Sequence, residues 1–172
     1  MKCPDCGNEM KSKIRDYEYA ESGLKNVVLK GIAVHECKEC GEVLPGIKNV
    51  KQIHEWIAEY LVKKESPLTG PEFRFLRKQM GMGAAELAGF LGVTPVTISR
   101  WENDKETIGP QSDRLLRAFF IIGPAGFKLF PVLEVFELLR TILPKIARVK
   151  PRSERIVIPP PEKSQGSFHA HG

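Results

Sequence analysis

The chain holds four cysteines, and they come as two matched pairs: Cys3 and Cys6 in "MKCPDCGNEM", Cys37 and Cys40 in "ECKECGEVLPG". Two residues stand between the members of each pair, so each pair can turn two thiolates toward one ion from a single tight knuckle. Pro4 stiffens the first knuckle. Gly7 and Gly41, each directly after a pair, permit the positive φ that such a turn often needs. Zinc favours four soft ligands in a tetrahedron, so the pairs read as two halves of one structural site, one Zn2+ per chain, held by Cys3, Cys6, Cys37 and Cys40. Four protein thiolates leave no open position for catalysis at that metal. A CxxC also serves thioredoxin-like redox chemistry, but no βαβ pattern surrounds these pairs. His35 is a competing ligand by type, although it reads better as a strand residue.

The compartment matters to this reading. The N-terminus has no apolar signal-peptide core, and no apolar run approaches the ~20 residues needed to cross a bilayer. A cytoplasmic protein with no membrane association is expected, and there thiols stay reduced and bind metal more readily than they form disulfides.

The fold class expected is α+β: a small N-terminal zinc-binding β domain followed by an all-α helix-turn-helix domain of the lambda-repressor-like kind. Residues 1–65 form the first unit. "IRDYEYAESG" and "NVVLKGIAVHEC" are rich in β-formers with a Ser22-Gly23 turn between them. "NVKQIHEWIAEYLVKKE" (49–65) is a helix capped by Asn49, with Ile53, Trp56, Ile57, Tyr60 and Leu61 on one face. The sheet is too small to bury a core of its own, so the metal takes that role. Residues 66–70 read as a linker, 71–123 as the DNA-binding domain, and 124–150 as a hydrophobic and basic helix that packs on the chain's own helix-turn-helix domain or, the favoured reading, on the same helix of a second subunit. That helix is expected over 127–143 with Pro131 in its first turn. It carries Phe127, Phe130, Leu133, Val135, Phe136, Leu138, Leu139 and Ile142. Residues 151–172 are rich in Pro, Ser and Gly and are expected to be disordered.

The second strong signal is "AAELAGFLGVTPVTISRWEN" (84–103). A helix-turn-helix needs a small residue where its helices cross, a glycine in the turn, and apolar residues locking the pair. Ala88, Gly92 and the set Leu87, Leu91, Val93, Ile98 and Trp101 meet those needs. Thr94 can cap the second helix, and Pro95 suits its first position. The N-terminal half of that helix should enter the major groove of double-stranded DNA, with Val96, Thr97, Ser99 and Arg100 facing outward. Arg100 suits guanine, Val96 a thymine methyl, Thr97 a base or phosphate, and Ser99 the backbone. Arg77 and Glu102 are expected to pair inside the domain. One recognition helix covers few base pairs, so a homodimer on a palindromic operator is expected.

Charge agrees with this polarity. Residues 1–65 carry eleven Lys/Arg against eleven Asp/Glu, whereas residues 123–172 carry eight against four. A basic end suits phosphates. No nucleophile–base constellation, phosphate loop or carboxylate pair is present, so no enzyme is expected.

With "MKCPDCG", "VVLKGI", "CKECGE" and "ISRWEN" in this order, the chain resembles the MqsA-type antitoxins, which carry a YgiT-type zinc finger before an XRE-like DNA-binding domain. The resemblance covers roughly residues 1–122. It implies an N-terminal zinc domain that grips a toxin, typically an mRNA-cleaving RNase. It also implies a dimer that represses its own operon at a palindrome. Arg100 matches the family's base-reading arginine. Val96 stands where the family has a base-reading asparagine, so the operator should differ. Gly83 and Ala84 stand where many XRE-like domains have a serine cap and a phosphate-binding glutamine, which weakens one expected backbone anchor. Two other functions fit the same motifs: a stand-alone transcriptional regulator without a toxin, and a zinc-ribbon adaptor that binds protein or RNA.

Overall fold

The computed structural model describes residues 1–146 and 151–160, apart from the side chains of Phe127 and Ile142. Strands β1 (Met10–Glu18) and β2 (Val27–Cys37) pair antiparallel, from Met10 opposite Cys37 to Glu18 opposite Val28, with a bulge between Arg15 and Tyr17. The reversal closes on Gly23 at φ +81°, a conformation that glycine adopts without penalty. β3 (Val43–Pro45) pairs antiparallel with the far end of β2. With neighbours on both sides, β2 buries Val27, Val28, Leu29, Ile32 and Val34. β1 lies at the sheet edge and is exposed from Lys11 to Asp16, where Lys11, Lys13 and Arg15 discourage edge-to-edge pairing.

Helix α1 (Val50–Lys63) begins as expected: Asn49 Oδ1 accepts the Gln52 amide at 3.4 Å, and Ile53, Ile57 and Leu61 form its buried stripe. Four helices follow: α2 (Gly70–Gln79), α3 (Ala84–Leu91), α4 (Pro95–Glu102) and α5 (Pro110–Ile122). One apolar core runs without a break from Tyr19, Leu29 and Ile57 through Leu68 to Phe73, Leu87, Ile98 and Leu116. The sheet thus has a core after all, because it shares that of the helices.

Residues 66–70, read from the sequence as a linker, are packed inside the molecule. Leu68 is fully buried and its amide donates to Asp113 Oδ2 at 2.7 Å. Asp113 and Arg117, one turn apart on α5, form a 2.6 Å ion pair with both side chains shut off from solvent. The Arg117 guanidinium also donates to the carbonyls of Val62, Lys64 and Ser66. It therefore satisfies the open end of α1 and fixes the next segment. Nearby, Lys64 and Glu72 form a second buried pair at 2.7 Å, and Glu72 also accepts the Thr69 amide at 2.8 Å to start α2. His54 bridges the sheet side to α2: its Nε2 lies 3.1 Å from the Tyr19 hydroxyl and its Nδ1 3.4 Å from Gln79 Nε2. Burial lowers its pKa and so favours the neutral ring that this site accommodates.

The C-terminal extension departs from the expectation in two ways. The single helix foreseen over 127–143 is broken. α6 (Pro124–Leu129) ends at Phe130, and Pro131 instead caps a separate α7 (Val132–Glu137), its carbonyl accepting the Val135 amide at 3.1 Å. Proline has no amide to continue a helix through itself, so the chain turns there. Phe130, Val135 and Leu138 pack into the chain's own core, while Val132, Leu133 and Phe136 remain exposed. Phe127 and Ile142, named above with them, lie outside the described side chains.

The second departure concerns residues 151–160, expected to be disordered. They form a strap across the molecule that ends in strand β4 (Ile156–Ile158), paired parallel with β2 through Val27 opposite Ile156 and Leu29 opposite Ile158. Ile156 and Ile158 are buried and Val157 points out, the alternation of a half-buried strand. Glu154 anchors the strap. Its carboxylate accepts from Tyr60 at 3.1 Å and Ser66 at 2.9 Å, and its carbonyl accepts from Asn26. Lys64 adds a bond to the Arg152 carbonyl at 2.7 Å. Composition pointed to disorder here, but two isoleucines and one carboxylate with waiting partners outweigh it. Residues 161–172 and 147–150 lie outside the described residues.

Asp113→Ala leaves the Arg117 guanidinium buried without its counter-charge and should cost about 3–5 kcal/mol, read from the midpoint of urea unfolding.

Candidate metal centre and nucleic-acid interface

The two CxxC turns fold alike. In the first, the Gly7 amide donates to the Cys3 carbonyl at 3.0 Å and the Cys3 amide to the Asn8 carbonyl at 2.8 Å. In the second, Gly41 donates to Cys37 at 3.1 Å and Cys37 to Glu42 at 2.9 Å. Gly7 and Gly41 stand at φ +73° and +79°, the role foreseen for them. The β1–β2 pairing brings the knuckles together, because Met10 stands opposite Cys37. The Sγ atoms of Cys3 and Cys40 are then 3.5 Å apart, those of Cys6 and Cys37 3.4 Å, and all four lie within 4.8 Å of one another. Zinc–sulfur bonds of about 2.3 Å put the edge of a tetrathiolate tetrahedron near 3.8 Å, so the donor set fits such an ion. The spacing is far too long for a disulfide, whose sulfurs lie about 2.05 Å apart.

Crowding four thiols has an electrostatic consequence. The backbone amide of Glu42 lowers the Cys40 pKa, but hydrogen bonds with the thiols of Cys3, Cys6 and Cys37 outweigh it and raise it to about 12. A divalent cation reverses that balance by drawing off the thiol protons. Cys3, Met10 and Cys37, with Leu44 against them, form a small apolar cluster separate from the main core. His35 sits on β2 opposite Ser12 and Leu44 and is not one of the four clustered donors.

At the other end, α3 and α4 are two short helices joined by a tight turn, over the residues where a helix-turn-helix is expected. α3 ends at Gly92, φ +67°, and the Val93 amide returns to the Ala88 carbonyl at 3.0 Å. Ala88 is buried where the helices cross, and Leu87, Ile98 and Trp101 lock them. Thr94 Oγ1 accepts the Thr97 amide at 3.1 Å and so caps α4. Glu102 takes Arg77 Nε at 2.6 Å and Arg74 Nε at 3.1 Å, which ties α4 to α2; the expected Arg77–Glu102 pair is present. On the outer face, Val96 is 61% exposed, and Ser99 and Arg100 are exposed beside it. Thr97 is half-buried, its hydroxyl 2.9 Å from that of Thr94. The sequence reading missed one neighbour: Glu106 Oε1 accepts from Arg100 Nη1 at 2.7 Å. Six positions is not a helical spacing, and only the turn after α4 brings the two together.

A family model described as the antitoxin component of a bacterial toxin-antitoxin system, MqsA, matches residues 1–119. The chain belongs to the MqsA antitoxin family. The curated proteins contain no match to it. The MqsA match takes in the four-cysteine cluster and all of α3 and α4, and stops within α5. α6, α7 and the β4 strap lie beyond it. No helix among the described residues is long and apolar enough to cross a membrane.

The separate cluster beneath the thiols sets the reach of the metal. Cys37→Ser should bind no ion in native mass spectrometry. It should also expose Lys11 and Lys38 to rapid tryptic cleavage, while the segment from α1 to α5 stays intact.

Proposed function

We propose that the chain is a zinc-bound, sequence-specific DNA-binding repressor and the antitoxin of a type II toxin-antitoxin pair. In this reading it works in the cytoplasm, neutralises an mRNA-cleaving toxin and represses its own operon. No catalytic step is assigned to it. The observation that carries the DNA-binding half is the outer face of α4, with Val96, Ser99 and Arg100 exposed together on a helix whose inner face is locked.

The mechanism follows from that face. The N-terminal half of α4 lies in the major groove. Arg100 donates two hydrogen bonds to guanine O6 and N7. Val96 offers apolar contact to a thymine methyl, and Thr97 and Ser99 meet a base edge or a phosphate. Two copies reading two half-sites about one helical turn apart supply the selectivity that one short helix lacks. The exposed Val132, Leu133 and Phe136 of α7 support a homodimer. Cys3, Cys6, Cys37 and Cys40 would hold a zinc ion, which would serve as a structural cross-link between the knuckles. The toxin partnership rests on family membership. A stand-alone regulator of the same architecture would make the same DNA contacts, and co-purification with the product of a neighbouring reading frame separates the two.

The test is titration of the metal-loaded protein with duplexes from its own promoter, across a salt series. Arg100→Ala should lose roughly 1–3 kcal/mol on the palindrome and relax preference at one base position. A variant that binds as tightly and selectively as the parent would exclude Arg100 as a reader.

A further inference from the structure

Arg100 is held, not free. Its Nη1 donates to Glu106 at 2.7 Å, with side chains 56% and 44% exposed. A pair this open adds little to stability. The loop that carries Glu106 is nevertheless fastened on every side. The chain folds straight back at the end of α4: Asn103 Nδ2 donates to the Ser99 carbonyl at 2.7 Å, the Asp104 amide to Trp101 at 3.0 Å and the Lys105 amide to Arg100 at 2.9 Å. Asp104 takes φ +51° to make this turn. Its carboxylate accepts the Gly70 amide at 2.7 Å, an approach open only to glycine, since a Cβ there would stand 2.2 Å from the Trp101 carbonyl oxygen. Ile108, two residues past Glu106, is buried in the core. Glu106 is thus delivered to the recognition helix by a built turn.

We propose that Glu106 is a positioning residue that sets the base preference of Arg100. This rests on α4 being the recognition helix. A guanidinium has two edges that can make paired hydrogen bonds, Nη1/Nη2 and Nε/Nη2. With Nη1 engaged by Glu106, the Nε/Nη2 edge remains for guanine O6 and N7, which accept two parallel N–H bonds. Fixing the fork in advance spares the rotamer entropy that a loose arginine loses on binding. The same carboxylate repels phosphates, which weakens attachment to DNA of any sequence. Both effects favour choice over grip: Glu106 sharpens discrimination at the guanine and lowers non-specific affinity.

The experiment uses the full-length, metal-loaded chain as parent, Glu106→Ala and Glu106→Gln. Two readouts are taken: the rate of guanidinium rotation of Arg100 by NMR in the free protein, and affinities for the promoter duplex and a set with each base pair of the half-site replaced in turn. In Glu106→Ala, rotation should speed up and non-specific binding should tighten. Discrimination at the one position that Arg100→Ala also relaxes should fall about tenfold, within the usual worth of one good base contact. Glu106→Gln, which keeps an acceptor for Nη1, should retain most of the discrimination. Three results would overturn the proposal: unchanged rotation of Arg100 in Glu106→Ala, a uniform tightening on every duplex with discrimination intact, or a loss of preference at a different, cytosine-bearing position. A parent that prefers no duplex would instead overturn the reading of α4 itself.

Discussion

Asp113 and Arg117 sit on successive turns of α5 with no exposure to solvent, and most of the architecture is organised around them. Neither charge is tolerable alone in the interior, and together they still leave donors and acceptors to be satisfied. The carbonyls of Val62, Lys64 and Ser66 and the amide of Leu68 meet that need. All four belong to the stretch that joins the sheet-bearing half to helices α2 to α5. A segment that would otherwise be a tether is thereby held inside, and the apolar groups on either side merge into one core. The strap adds a second closure over the same seam, with Glu154 bonded to Tyr60 and Ser66 and Lys64 reaching from the Glu72 pair to the Arg152 carbonyl.

The metal site has a narrower part than a small zinc domain would suggest. Cys3, Met10 and Cys37 form their own cluster at the distal end of the hairpin, whereas Val27, Leu29 and Ile32 at the other end belong to the main core. A bound ion therefore shapes the knuckles and the tip of the sheet.

The features legible in the sequence were the local ones. Both CxxC knuckles and the α3–α4 motif are set by residues within twenty positions of one another, where turn glycines, small crossing residues and caps have direct physical meaning. The sequence also supported the Arg77–Glu102 pair and the Asn49 cap. What it hid depended on partners far along the chain. Asp113 and Arg117 at four-residue spacing look like an ordinary surface pair, and only Val62 to Leu68 make them central. The alternation in "RIVI" is three residues long and sits among prolines, while Asn26, which bonds to the strap, lies 128 residues away. Pro131 is compatible with a first turn of α7, but nothing in the sequence showed that a separate helix precedes it. Glu106 was invisible because its approach to Arg100 follows from the positive φ of Asp104 and the bare Cα of Gly70.

A sheet that carries the four cysteines and a helical half that carries α3 and α4, with a common core, must open together. Native-state hydrogen exchange of the zinc-loaded chain in rising denaturant tests this most directly, following the amides of Val27–Leu29 in β2 and Leu116–Phe120 in α5. A shared core predicts that both sets converge on one opening free energy with one denaturant slope. A β2 set that opens at lower free energy and with a shallower slope, while α5 stays closed, would contradict it.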